Sequence, residues 1–319
     1  MNASLRKLPD YTQLDLFHAD FDNIAMRALR EVMERPFFAL SNKPRFEPII
    51  YKTSSAEVVI SGGKPYGIAT IYDHDILMWL VSQIVEAKDR GEETSPQLYF
   101  TPYDCLRGIQ RRTGGSEYQL LAKSIQRLAN THIMTDIRKK DQIPLSLKER
   151  ERLKIGFHWL ESYGIQSIER SRRATPQGIT VVIPRWLYQG AVKHNRVLTI
   201  DDRYFRLKGG LERVLYLIAR KHCGNQKEGF VISMEKLYEK TGSESPLKAF
   251  ASKLRKIAKE ASLPEYTMTI YKGKYGGENV QFFKRSYLAY EDKRYEPPRV
   301  SKGKEQLRLD LDWADENLD

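Results

Sequence analysis

The apolar pattern Leu121, Ile125, Leu128 recurs 129 positions later as Phe250, Leu254, Ile257. A chain that states one framework twice is expected to build the same supersecondary unit twice. The second copy, Phe230 to Phe283, is the clearer. An apolar pair, Val231 and Ile232, precedes a short predicted helix over Ser233–Tyr238, and Thr241-Gly242 breaks it. A second helix is predicted from Pro246 to about Ala261, with Leu247, Phe250, Leu254, Ile257 and Ala261 on one side at helical spacing. The opposite side carries Lys248, Ser252, Arg255 and Lys259, widened by Lys253 and Lys256. Tyr266–Tyr271 and Val280–Phe283 then read as two strands around a glycine-rich tip containing Lys272 and Lys274. Short helix, turn, long basic helix and hairpin describe a winged helix-turn-helix, whose long helix can enter a major groove while the hairpin touches flanking phosphates.

The first copy has matching flanks. Thr101-Pro102-Tyr103-Asp104-Cys105-Leu106 starts a short helix as Ser233–Leu237 does. Thr113-Gly114-Gly115-Ser116-Glu117 answers Thr241-Gly242-Ser243-Glu244, and His132–Ile137 is expected to answer Tyr266–Ile270 as a hairpin strand. Carrying the outward stripe back by the same offset selects Gln119, Lys123, Gln126 and Asn130, with Arg127 beside them. Gln and Asn can pair bidentately with adenine, while Arg and Lys favour guanine. The competing reading is that polar residues on an exposed helix only keep it soluble. Two helices in register inside the same framework favour the DNA-contacting reading.

Composition bounds the partners. A formal charge of +12 on 319 residues favours a polyanion, nucleic acid before membrane, because no long apolar run or lysine-rich amphipathic anchor is present. Two cysteines, Cys105 and Cys223, are too few for a disulfide framework and read as reduced core thiols of a cytoplasmic protein. The first residues lack an apolar signal region. The expected fold class is therefore α+β: two tandem winged helix-turn-helix domains, 31–190 and 191–290, between a flexible N-terminal tail (1–30) and an acidic C-terminal tail (291–319).

Within the N-terminal tail, Gln13-Leu14-Asp15-Leu16-Phe17 resembles the bacterial sliding-clamp-binding peptide. In that reading Leu16 and Phe17 enter an apolar pocket while Gln13 makes oriented hydrogen bonds, with Leu14 among the contacting residues. The alternative is that the same residues form a strand edge or a helix start. Gln306–Leu311 is a looser echo in the other tail. Candidate strands follow at Phe46–Lys52 and Glu57–Ser61. Gly62-Gly63-Lys64 lacks the spacing of a phosphate loop and reads as a turn. Helices are expected from Asp73 to about Arg90 and over Leu211–His222. The charged stretch between Ile137 and Leu153 reads either as a long first wing or as a solvated loop. Phe157–Tyr163 and Ile179–Ile183 are expected strands around a basic cluster, Arg170, Arg172 and Arg173, and Pro184 starts a short helix.

The chain resembles plasmid replication initiators of the RepA type, the replication initiator protein A family. The resemblance rests on Gly67-Ile68-Ala69-Thr70-Ile71-Tyr72-Asp73-His74-Asp75-Ile76-Leu77, on Arg112-Thr113-Gly114-Gly115, and on Tyr204-Phe205-Arg206-Leu207. It extends to Leu211-Glu212-Arg213 and Ala219-Arg220-Lys221-His222-Cys223-Gly224. It covers most of residues 37–285 and leaves the tails unmatched. It implies an iteron-type, origin-binding role: recognition of directly repeated sites, opening of the adjacent duplex, recruitment of host replication proteins, and, for some related initiators, copy control as dimers repressing their own gene. It does not supply the base-contacting residues, which rest on helix geometry alone.

No catalytic constellation is legible. Asp73 and Asp75 flank His74 at a helix start, where acids favour the positive end of the dipole, so capping is expected there rather than metal binding. His222-Cys223 lacks the second pair that zinc would need. The six histidines are never spaced in sequence as the pair that accompanies a nicking tyrosine. Neither an enzyme, a cofactor nor a metal is expected. A transcriptional repressor built on the same domains is the alternative to an initiator, and the clamp-like peptide speaks against it.

Overall fold

A computed structural model describes residues 16–53, 57–135, 154–170, 173–193, 196–274 and 276–288. Gln13, Leu14, the whole charged 138–153 stretch, Arg172, and both the proline-containing and the acidic parts of the C-terminal segment lie outside them. The fold is α+β and divides into two units, Met1–Arg206 with Glu239–Gly242, and Leu207–Tyr238 with Ser243–Asp319.

The first unit contains, in order, β1 (Phe17–His18), β2 (Arg27–Leu29), β3 (Ile49–Lys52), β4 (Glu57–Gly62), α1 (His74–Asp89), β5 (Gln97–Phe100), α2 (Pro102–Gly108) and α3 (Gly115–Asn130). It continues with β6 (Thr131–Thr135), β7 (Ile155–His158), β8 (Ser162–Arg170), β9 (Arg173–Val182), α4 (Arg185–Val192) and β10 (Val197–Thr199). One sheet has the order β1-β5-β9-β8, a second β3-β4-β6-β7, and β10 pairs with β2. α1 is buried almost all round, from Ile76 to Ala87, which makes it the post on which the unit is built. Phe37, Phe38, Trp159 and Trp186 form an aromatic cluster beside its N-terminal end, where the Phe38 ring stacks on His74 at 4.8 Å.

Two expectations about this unit are corrected. Residues 16–29 are not tail: Phe17 is buried, β1 runs parallel to β5, and Val197–Thr199 close on Arg27–Leu29. The latter pairing carries the boundary past residue 190 to Arg206. Second, His132–Thr135 does not answer Tyr266–Ile270. β6 pairs with β4 and β7 in the other sheet, so β6 and β7 are an insertion between the long helix and its hairpin. The hairpin that follows α3 is β8–β9, and β9 lies against β5. The period-two signal of β6 marks a strand, but alternation does not say which sheet a strand joins.

The second unit contains α5 (Gly210–Cys223), β11 (Phe230–Ser233), α6 (Met234–Thr241, of which Met234–Tyr238 belong to this unit), α7 (Leu247–Glu260), β12 (Tyr266–Lys272) and β13 (Glu278–Lys284), with sheet order β11-β13-β12. The same connectivity, strand, short helix, long helix, hairpin, with the hairpin's last strand against the first, appears in β5-α2-α3-β8-β9. Both short helices start from a hydroxyl: Thr101 accepts the Asp104 amide at 3.2 Å, and Ser233 accepts the Lys236 amide at 3.3 Å. The core closes around Leu215, Ile218, Leu237, Phe250, Leu254, Tyr266 and Phe282. No helix among the described residues is long and apolar enough to cross a membrane.

Candidate nucleic-acid interface

The long helices α3 and α7 carry the candidate contact residues, and their buried faces are in register. Leu121, Ala122, Ile125 and Leu128 are buried on α3, and Phe250, Ala251, Leu254 and Ile257 on α7, each pair 129 positions apart. Burying each large side chain contributes roughly 1.5–3 kcal/mol, so the rotation of each helix is set by its core and the opposite stripe is held outward. Ser124 breaks the match: it is buried, whereas its counterpart Lys253 is exposed.

On α7 the outward stripe is open. Lys248, Ser252, Arg255, Lys256 and Lys259 are all exposed. Lys248 and Lys259 have no carboxylate partner among the described residues, and Lys256 reaches Glu260 at only 3.8 Å. Arg255 is different. Its Nη2 donates to both carboxylate oxygens of Glu278 on β13, at 2.6 and 2.7 Å, tying the helix to the hairpin. The hairpin tip turns tightly: the Gly273 amide donates to the Gly277 carbonyl at 2.6 Å, and Gly276 takes φ +89°, which suits a residue without Cβ. Lys272 and Lys274 project from this tip, exposed and without an acidic partner among the described residues. The helix ends at Ala261 in the left-handed region, φ +49°, where Arg285 donates to its carbonyl at 2.9 Å.

On α3 the five nominated residues separate. Lys123 is exposed and Gln126 half-buried, and neither has a partner among the described residues. Gln119 donates to the Ala174 carbonyl on β9, so it braces the hairpin. Asn130 donates to the Gly63 carbonyl at 2.9 Å, closing the turn after β4. Arg127 is spoken for. Its Nε and Nη2 clasp the Asp73 carboxylate at 2.6 and 2.7 Å, and Asp73 is 1% exposed. Burial disfavours the charged guanidinium, but the bond to Asp73 and its charge outweigh burial, and the pKa of Arg127 is raised. Arg127, expected as a DNA-contacting residue, is engaged within the protein instead: one step round the helix from Gln126 its side chain turns toward the start of α1.

The acids at the start of α1 also differ from expectation. Asp73 makes no cap bond to the helix; it accepts from the Thr70 amide and hydroxyl as well as from Arg127. Asp75 accepts from Arg111 at 2.9 Å. These two pairs fasten the N-terminal end of α1 to the segment formed by α2 and α3.

Sequence reading missed the first hairpin. The backbone of Arg170 and Arg173 pairs at the end of the β8–β9 hairpin, so the first hairpin runs up to the basic cluster, of which Arg172 lies outside the described residues. The signal was available in the cluster itself, but the strands around it were predicted too short to reach it.

The family described as replication initiator protein A matches residues 27–268. The chain belongs to that family. A relative named as a putative replication protein, from Wigglesworthia glossinidia brevipalpis, is 35% identical over 240 residues, covering 74% of this chain and 82% of that relative. Among solved structures, domains 2 and 3 of RctB superpose with a TM-score of 0.58 at 15% identity, over 79% of this chain and 97% of theirs. A second RctB structure of the same domains gives 0.50 at 16% identity, over 77% and 94%. At that identity the likeness is one of fold. The family match spans both units, from β2 to the first residues of β12, so α3 and α7 both lie inside it.

Proposed function

We propose that this protein initiates plasmid DNA replication by binding directly repeated origin sites through two winged helix-turn-helix domains, with α3 and α7 in major grooves. The observation that carries this reading is α7 with its hairpin: four exposed lysines without acidic partners among the described residues, Lys248, Lys259, Lys272 and Lys274, around a helix held outward by its own core, in a replication initiator family member. Groove-facing roles fall to Lys123 and Gln126 on α3 and to Lys248, Ser252, Arg255, Lys256 and Lys259 on α7. The hairpin tips supply phosphate contacts that position without reading sequence.

Opening of the duplex and recruitment of host helicase and sliding clamp complete the proposed role, with a homodimer as the repressing form and the cytoplasm as its place. DNA binding and opening need no covalent step, so the reading is of a non-enzymatic protein. The clamp peptide acquires a condition. Because Phe17 is buried in β1, its capture by a clamp requires that two-residue strand to leave β5.

The test is protection mapping on a plasmid origin, where two grooves read by one chain give a footprint of about 20 bp per repeat. Lys272→Ala and Lys274→Ala should each weaken binding to specific and random DNA alike and lower the salt slope by about 1. A single inverted repeat protected at a promoter, with evenly spaced repeats left bare, would instead mark a repressor.

A further inference from the structure

The sheet β3-β4-β6-β7 has one buried and one open face. Val58, Ile60 and Ile133 point inward, while Val59, Ser61, His132, Met134 and His158 alternate with the buried set or stand on the edge strand. His132 and His158 are directly opposite each other on antiparallel neighbours. Their ring centres are 5.2 Å apart, tilted by 55°. Neither ring has a hydrogen-bond partner among the described residues, and His158 is exposed, so a solute can reach the pair. The site is shaped by a missing side chain: a Cβ on Gly156 would stand 2.7 Å from His132 Nε2. The glycine lets the His132 ring lie over β7, beside His158.

We infer that His132 and His158 form a two-imidazole site for a divalent transition ion of the zinc, nickel or copper class. Imidazole nitrogen is the donor these ions share. Two imidazoles holding one tetrahedral ion at about 2.0–2.1 Å per nitrogen have ring centres roughly 5 Å apart, the separation already present. Among the described residues no third histidine, cysteine or carboxylate joins the pair, so water completes the coordination. An ion held there staples β6 to β7 at the root of the segment that connects them. The site was invisible in sequence because the two histidines lie far apart along the chain, and only strand register brings them together.

The tag-free full chain, titrated with ZnCl2 in a calorimeter, should show a class of sites holding one ion that saturates below ~100 µM and raises Tm by roughly 5 °C, with MgCl2 inert. His132→Gln and His158→Gln should each remove that class, and His222→Gln should leave it. Gly156→Ala, which keeps both histidines but crowds one, should weaken it at least tenfold. On the unaltered chain, one equivalent of Cu2+ should give an electron paramagnetic resonance spectrum split by two imidazole nitrogens. Retention of zinc affinity in the His132→Gln/His158→Gln double variant, no saturation below millimolar zinc, or a copper spectrum without a second imidazole would each overturn the assignment. None of these readouts involves DNA, so they stand or fall apart from the origin-binding reading.

Discussion

Replacing Arg127 by Met separates the sequence-based expectation from the structure. If Arg127 read a base, Arg127→Met would relax discrimination between DNA sites and leave stability near wild type. The structure sets the opposite expectation. Asp73 is 1% exposed and loses its charge partner, keeping only the Thr70 amide and hydroxyl. Breaking a buried pair by removing one partner costs roughly 3–5 kcal/mol, and the 18% exposure of Arg127 puts the expected loss at the lower end, about 3 kcal/mol. For a unit of this size that lowers Tm by about 6–12 °C. Tryptophan fluorescence during urea unfolding reports the right part of the chain, because Trp79 and Trp159 are buried in the first unit and the described second unit contains no tryptophan. Asp73→Asn added to Arg127→Met should recover part of the loss, since it removes the stranded charge. An unchanged urea midpoint in Arg127→Met, together with lost preference for specific over random DNA, would refute the structural assignment and reinstate Arg127 as a contact.

The Arg255–Glu278 fork gives a second expectation. Arg255→Ala should cost about 1–3 kcal/mol on specific DNA and little on random DNA, whereas Glu278→Gln should tighten binding to both by removing a negative charge beside phosphates while narrowing the gap between them. Competition binding at fixed salt reads both, and equal losses on the two DNAs for Arg255→Ala would end the groove assignment. For the N-terminal peptide, Leu16→Ala with Phe17→Ala should abolish retention on purified sliding clamp; because Phe17 is also core, thermal melting of the same variant is measured alongside, and undiminished retention removes the clamp proposal. The thiols should be silent in the native chain. Cys105 and Cys223 are both buried, and burial pushes Cys223 up to about 12 and Cys105 higher still, so a disulfide exchange reagent at pH 8 should label neither until denaturant exposes both.

How much of this was legible before coordinates depends on which interaction carries the signal. Local periodicity is written along the chain. The apolar stripes of α3 and α7, the hydroxyl-led starts of α2 and α6, and the glycine-rich tip between β12 and β13 could all be read residue by residue. Helix spacing and capping act over three or four positions, and a repeat shows itself as the same short pattern at a constant offset. The outward side of α7 follows from its inward side, so its basic face was derivable without a structure.

Partnership across the chain was not. Side chains at positions 126 and 127 are neighbours on one helix, yet one has no partner among the described residues and the other is clasped by an aspartate 54 residues away. Polarity alone cannot distinguish them, because a guanidinium suits a phosphate, a guanine edge or a buried carboxylate equally well. Sheet membership has the same character. β6 and β8 both alternate, and only pairing energy in the assembled fold decides that one joins the sheet of β3 and β4 and the other becomes the hairpin after α3. Sequence by itself determined the helices, their faces and the duplicated plan, since those obey short-range geometry. Tertiary structure decided which polar groups remain available to DNA, where the first hairpin begins, and that two distant histidines meet, since those depend on contacts the chain makes only once it has closed.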